Sequence, residues 1–188
     1  MVKHITTLIT ILFISLLSSP SWSETFTMDD LVERQGLHYK KFSNAPFSGL
    51  VEGKEQGSFK NGEREGPWNG YHENGQLSER GIYKNGKKEG PWVGYWAEGH
   101  LFAKGNYKNG ELDGPWIHLY PDGHLMQSGN YKNGELDGPW VSYHANGQLI
   151  QKGNYKKGKK EGPWVGYQND GTVLDKLTGT FKDGMLVE

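Results

Sequence analysis

The stretch GNYKNGELDGPW occupies residues 105–116 and recurs, letter for letter, at residues 129–140, one period of 24 residues later. The same period runs outward in both directions. Trp68, Trp92, Trp116, Trp140 and Trp164 keep it, each preceded by Gly-Pro. Leu77, Leu101, Leu125 and Leu149 repeat in phase, as do Gly81, Gly105, Gly129 and Gly153, and then Tyr83, Tyr107, Tyr131 and Tyr155. A period of this length marks a stack of like units, each burying its apolar face against its neighbours. Identity between units follows, because each unit meets the same packing problem.

Each period carries two turn signals. One is Asn85-Gly86, repeated at Asn109-Gly110 and Asn133-Gly134; the other is Asn74-Gly75, repeated as Glu98-Gly99, Asp122-Gly123 and Asn146-Gly147. Such pairs suit the positive φ of tight hairpin turns. Two turns per period leave two strands of about eight residues and loops of about four. The expected class is all-β: a single-layer antiparallel meander, or solenoid, of stacked β-hairpins, with a short N-terminal helix and cap.

Charges suggest a register. Lys84 and Glu89 flank residues 85–88, and the pair recurs as Lys60/Glu65, Lys108/Asp113, Lys132/Asp137 and Lys156/Glu161. Unlike charges directly opposed support a hairpin with a four-residue loop. With a second four-residue turn at 97–100, Trp92 faces Gly81 on one side and Gly105 on the other, its indole lying over both glycines. That explains glycine in mid-strand, where it is otherwise unfavourable. Alternation then places Trp92, Gly94, Trp96, Leu101, Ala103, Gly105 and Tyr107 on one, better-packed face. Val93, Tyr95, Phe102, Lys104 and Asn106 fall on the other, mixed and wet.

Composition agrees with this class. The 188 residues include 28 Gly, 7 Trp, 10 Tyr and 7 Phe, too much glycine for an ordinary helical domain and too many rings for disorder. A net charge of −1 provides no electrostatic footprint for nucleic acid. Absence of cysteine excludes disulfides and a lipidated cysteine. Residues 1–23 read as a signal peptide: Lys3 and His4, an apolar run over residues 5–17, then Ser21 and Ser23 at the −3 and −1 positions before Glu24. The apolar run is short for a bilayer span, although a retained anchor is the alternative. The expectation is an exported protein, periplasmic or secreted, without membrane association once the leader is removed. Residues 24–56 read as a cap, with Thr27 opening a helix over residues 28–34 that Gly36 ends. Imperfect strands follow at 38–42 and 47–52, and residues 57–188 form the hairpin array.

Copies of one motif are a poor basis for catalysis, which needs a unique constellation. The chain has no cysteine nucleophile, no G-x-S-x-G elbow and no HExxH pattern. It reads as a non-enzyme without cofactor or metal. His100 and His124 sit at equivalent positions, as do His72 and His144; such positions in successive hairpins lie about 10 Å apart, already too far to share one zinc ion, and His72 and His144 are three units apart. His118 between them adds no metal-ligand spacing. The candidate site is aromatic: Trp68, Trp92, Trp96, Trp116, Tyr120, Trp140, His144 and Trp164 share a face. Two readings stand. These rings are the core of a single-layer sheet, or their outer edges line a shallow groove for an extended ligand such as a glycan.

The pattern G-x-[YF]-x-[ND]-G-x-x-[DE]-G-x-W, as in Gly105-Asn-Tyr107-Lys-Asn109-Gly110-Glu-Leu-Asp113-Gly114-Pro-Trp116, resembles the MORN-repeat variant family over roughly residues 57–184. The resemblance implies an elongated hairpin array used for protein–protein contact or, in some members, membrane association. Some bacterial members carry an antitoxin label. The expected function is a non-enzymatic protein–protein interaction scaffold in the bacterial envelope, with an unidentified protein partner. The alternatives are a cell-wall glycan-binding module and an immunity or antitoxin protein against an envelope-acting toxin.

Overall fold

The computed structural model describes residues 24–187; the signal peptide expected over residues 1–23 lies outside them. Strands β1 (Leu31–Arg34) and β2 (Leu37–Lys40) form a small hairpin of their own. The main sheet begins with β3 (Gly49–Val51), β4 (Glu55–Lys60), β5 (Glu63–Tyr71), β6 (Leu77–Lys84), β7 (Lys87–Tyr95) and β8 (Leu101–Lys108). It continues through β9 (Glu111–Leu112), β10 (Gly114–Leu119), β11 (Leu125–Lys132), β12 (Glu135–Tyr143), β13 (Leu149–Lys156) and β14 (Lys159–Gly166). It ends with β15 (Gly179–Lys182) and β16 (Met185–Leu186). These 14 strands pair antiparallel in chain order, with short β9 beside β8. The architecture is the open antiparallel meander that the 24-residue period predicts.

The cap differs from expectation. The helix predicted over residues 28–34 shrinks to one 3-10 turn, Met28–Asp30, where the Asp30 carboxylate accepts the Thr27 N–H at 2.8 Å and its hydroxyl at 2.9 Å. Leu31–Arg34 is extended instead, because pairing with β2 and burial of Leu31 in the main core outweigh a weak local helix preference. Gln35 and Gly36, both at positive φ, turn that hairpin. Gly36 therefore reverses a strand rather than ending a helix.

Both repeat turns are tighter than four residues. Lys84 pairs with Lys87 across a two-residue turn, Asn85 at φ 49° and Gly86 at φ 73°, the left-handed pair whose twist matches the strands. Farther along, Arg80 pairs with Val93, so Gly90, Pro91 and Trp92 stand against the single residue Gly81. This bulge returns Trp92 to its glycine. At the opposite edge Trp96 and His100 close a three-residue loop: the Trp96 N–H donates to the His100 carbonyl at 2.8 Å, and Gly99 sits at φ 87°. A second bulge at Phe102 restores Gly94 opposite Ala103 and Trp92 opposite Gly105. The same bulge moves Phe102 off the wet face where simple alternation puts it. Its ring lies 4.5 Å from Trp96 and 5.2 Å from His118, while Leu101 pairs with Tyr95.

The Lys–acid pairs do not form across the turns. Glu89 instead accepts the backbone N–H of Asn109 in the next unit at 2.8 Å, Glu65 that of Asn85 at 2.8 Å, Asp137 that of Lys157 at 3.2 Å and Glu161 that of Asp183 at 3.1 Å. A left-handed turn residue aims its N–H at the preceding unit, and a carboxylate meets it with a charge-assisted bond stronger than an exposed ion pair. The following glycine does the same with a backbone acceptor: Gly86 donates to Arg64 at 3.0 Å and Gly110 to Lys88 at 2.9 Å. The repeated acid thus links unit to unit.

Candidate functional site

The sheet has two faces, and the tryptophans fill the inner one. Trp68, Trp92, Trp116 and Trp164 are buried, with 1% of Trp68 exposed. Each indole lies over the glycine of the preceding strand. A Cβ on Gly81 would stand 1.8 Å from Trp92, and one on Gly105 1.9 Å from Trp116. Trp92 also faces Gly105 in register, where the ring atoms nearest that glycine belong to Trp116.

Tyrosines fill the spaces between. Trp68, Tyr83, Trp92, Tyr107 and Trp116 form a continuous edge-to-face series with centroids 5.4–5.8 Å apart. Trp140, Tyr155, Trp164 and Phe181 form a second series. Burial raises the phenol pKa of Tyr83, Tyr107, Tyr131 and Tyr155, so these hydroxyls stay neutral. Cations close the series from above. Arg64 stacks 4.6 Å from Trp68, Lys88 3.8 Å from Trp92 and Lys160 4.2 Å from Trp164. Leu112 and Leu136 hold the equivalent positions in the two central units. Sequence reasoning overlooked this row, although Arg64, Lys88, Leu112, Leu136 and Lys160 are spaced by the period.

The remaining candidates tie units together. The Trp96 indole N–H donates to the Leu119 carbonyl at 3.2 Å, and the Tyr120 hydroxyl to the Tyr143 carbonyl at 2.8 Å. His72, one unit earlier, meets the Tyr95 carbonyl at 2.9 Å. His144 holds the same position, but its Nε2 has no partner, and neither does the half-buried Trp140 Nε1. The strand ahead of His144 ends at Gly166, one residue before the equivalent carbonyl. Among the described residues no three His, Cys, Asp or Glu side chains converge as metal ligands. His100 instead contacts the Pro121 carbonyl at 2.7 Å and His124 the Asp122 carboxylate at 3.1 Å.

The outer face is organised but uncovered. One unbroken row of directly opposed residues crosses it: Arg80, Val93, Lys104, Ile117, Ser128, Val141, Lys152 and Val165. Basic and aliphatic residues alternate, with Ser128 replacing a base once. Arg80, Lys104 and Lys152 are exposed, and no acidic group among the described residues forms an ion pair with them. Beside this row runs another, made by exposed Pro67, Pro91, Pro115, Pro139 and Pro163. Two clefts form between the rows. One, of about 600 Å³, is lined by Pro139, Val141, Lys152, Asn154, Pro163 and Val165. The other, of about 270 Å³, is its equivalent two units earlier, between Pro91 and Ile117 around Lys104. Period-two alternation had marked Val93, Tyr95, Lys104 and Asn106 as outward; the missed signal was the basic residue recurring at 80, 104 and 152.

A family model described as MORN repeat variant matches residues 64–85, 88–109, 112–133 and 136–157, four tandem copies. No curated protein matches the chain. Among solved structures, a crystal structure of a GtfA/B complex bound to UDP and GlcNAc is similar over 69% of this chain and 23% of that one, at 11% identity and a TM-score of 0.20. The chain thus spans less than a quarter of that protein, and so low a score carries no argument about fold or ligand.

Proposed function

The chain belongs to the MORN-repeat variant family, and on that premise we propose that it is a non-enzymatic scaffold of the bacterial envelope that docks a protein on its outer face. Repeats of this kind are commonly interaction modules, and the family is generally non-catalytic. One observation carries the choice of face. Most inner side chains, Trp140 and His144 apart, are engaged in ring packing or unit-to-unit hydrogen bonds, whereas the row from Arg80 to Val165 is ordered by the same backbone and faces solvent. A rigid row on a sheet presents contacts without loss of backbone entropy on binding, which favours recognition. The signal-peptide pattern read in residues 1–23 supports the exported setting.

The test is retention of solubilised envelope proteins by the immobilised chain, compared with a Val93→Gln, Val141→Gln variant of unchanged circular dichroism. One stoichiometric polypeptide, lost with the variant, supports docking at the outer row, and a toxin as that polypeptide makes the role immunity. Saturable pelleting with isolated cell-wall sacculi and no protein partner replaces this reading with a glycan-binding module.

A further inference from the structure

We infer that the outer row takes an acidic, extended polypeptide lying across the strands, with an apolar residue at every third position. The inference rests on the scaffold reading and specifies its partner.

Neighbouring strands lie about 4.8 Å apart, so like positions in successive units recur every ~9.6 Å. Val93, Ile117, Val141 and Val165 repeat at that interval, as do Arg80 and Lys104, while Lys152 follows Lys104 after two intervals. A ligand following the row runs perpendicular to the strands, whose backbone groups are already paired within the sheet. It gains no ladder hydrogen bonds, so its own backbone must be satisfied by water. Polyproline II is the conformation that meets this requirement, and its three residues per turn at about 3.1 Å each advance ~9.3 Å. One turn of the ligand therefore matches one unit of the protein.

Side-chain chemistry sets the composition. Proline and β-branched aliphatic residues wall the clefts at Val93 and Val141, which suit a leucine or proline side chain. Arg80, Lys104 and Lys152 have no acidic partner among the described residues; Lys104 and Lys152 stand between apolar positions, and Arg80 precedes Val93. A ligand carrying a carboxylate once per turn neutralises them. The rings of Trp68, Trp92, Trp116 and Trp164, which would stack on sugars if open, are buried, which favours peptide over glycan.

The test uses the full chain and a fluorescent peptide of about twelve residues built on a Leu-Glu-Pro repeat, read by anisotropy. Binding is expected to weaken with added salt and to fall by about tenfold in a Lys104→Glu, Lys152→Glu variant, while Lys41→Glu in the cap leaves it unchanged. A peptide of the same composition in scrambled order is expected to bind at least about tenfold more weakly, because its apolar residues no longer meet successive clefts. Equal binding of the scrambled peptide, indifference to the charge reversal, or displacement by soluble cell-wall fragments instead of peptide overturns the inference. If the peptide fails while Val93→Gln, Val141→Gln still abolishes retention of an envelope protein, the scaffold reading survives and only the acidic partner is lost. If both fail, both are wrong.

Discussion

Glycine at positions 81, 105, 129 and 153 is a matter of clearance rather than of backbone freedom, since none of these residues has positive φ. An alanine methyl at Gly81 would overlap the Trp92 ring. Gly81→Ala is expected to destabilise the protein by about 2–3 kcal/mol. Gly94 has an ordinary φ, and a methyl there would make a normal 3.5 Å contact with Phe102. Gly94→Ala is expected to stabilise by roughly 0.5 kcal/mol through the unfolded chain. Urea midpoints of the two variants should move in opposite directions. His118 offers a second residue-scale test. Its Nε2 accepts the Trp116 indole N–H at 3.2 Å, and its Nδ1 lies 2.9 Å from the Gln127 side-chain amide nitrogen. Burial holds its pKa below the ordinary 6.5. The folded state thus binds that proton less readily than the unfolded state. The contribution to stability is fully present above the ordinary value and is lost as the pH falls from there through the lowered one. Melting temperatures followed from pH about 8 down to about 5 should fall less steeply in His118→Gln than in the native protein.

At the scale of the hairpin, the recurring acid looks in sequence like the partner of the recurring lysine, and the fold assigns it otherwise. Glu89 closes the Asn109 turn of the next unit, and Lys84 is not needed for this. Glu89→Ala is expected to cost about 1 kcal/mol and to speed hydrogen exchange at the Asn109 amide. Lys84→Ala is expected to change stability by less than about 0.5 kcal/mol. Equal effects at the two positions would restore the cross-turn ion pair. The turns also show why the aromatic row is structural. Trp96 and Tyr120 each reach a carbonyl 23 residues ahead, one strand pair away, and so couple adjacent hairpins rather than presenting a free ring.

For the whole molecule, the period makes the array modular. Excising residues 109–132 joins Lys108 to Asn133 and recreates the same local sequence, since residues 105–116 and 129–140 are identical. The shortened chain is expected to fold cooperatively, with a urea m-value lower by roughly one-seventh and reduced stability. Removing half a unit should prevent folding, because Trp would then meet positions that carry a side chain instead of glycine.

Read alone, the sequence determined the hairpin array, its period and the Trp–Gly register, because identical units spaced by 24 residues must meet identical neighbours and only glycine leaves room for an indole. It determined too that Val93 and Lys104 point away from Trp92. Tertiary structure alone decided how the turns close. A four-residue loop and a two-residue loop followed by a bulge of two consume the same number of residues and give the same Trp–Gly register, so the period does not distinguish them. Left-handed φ at Asn85 and Gly86 and hydrogen bonds to the neighbouring unit make that choice. From it follows the acid as a link between units, while the three-residue loop between Trp96 and His100 and its bulge put Phe102 on the ring face. The helix expected over residues 28–34 was misread for the same reason: its local signals are real, but burial of Leu31 and pairing with β2 are contacts made only once the chain has folded back on itself.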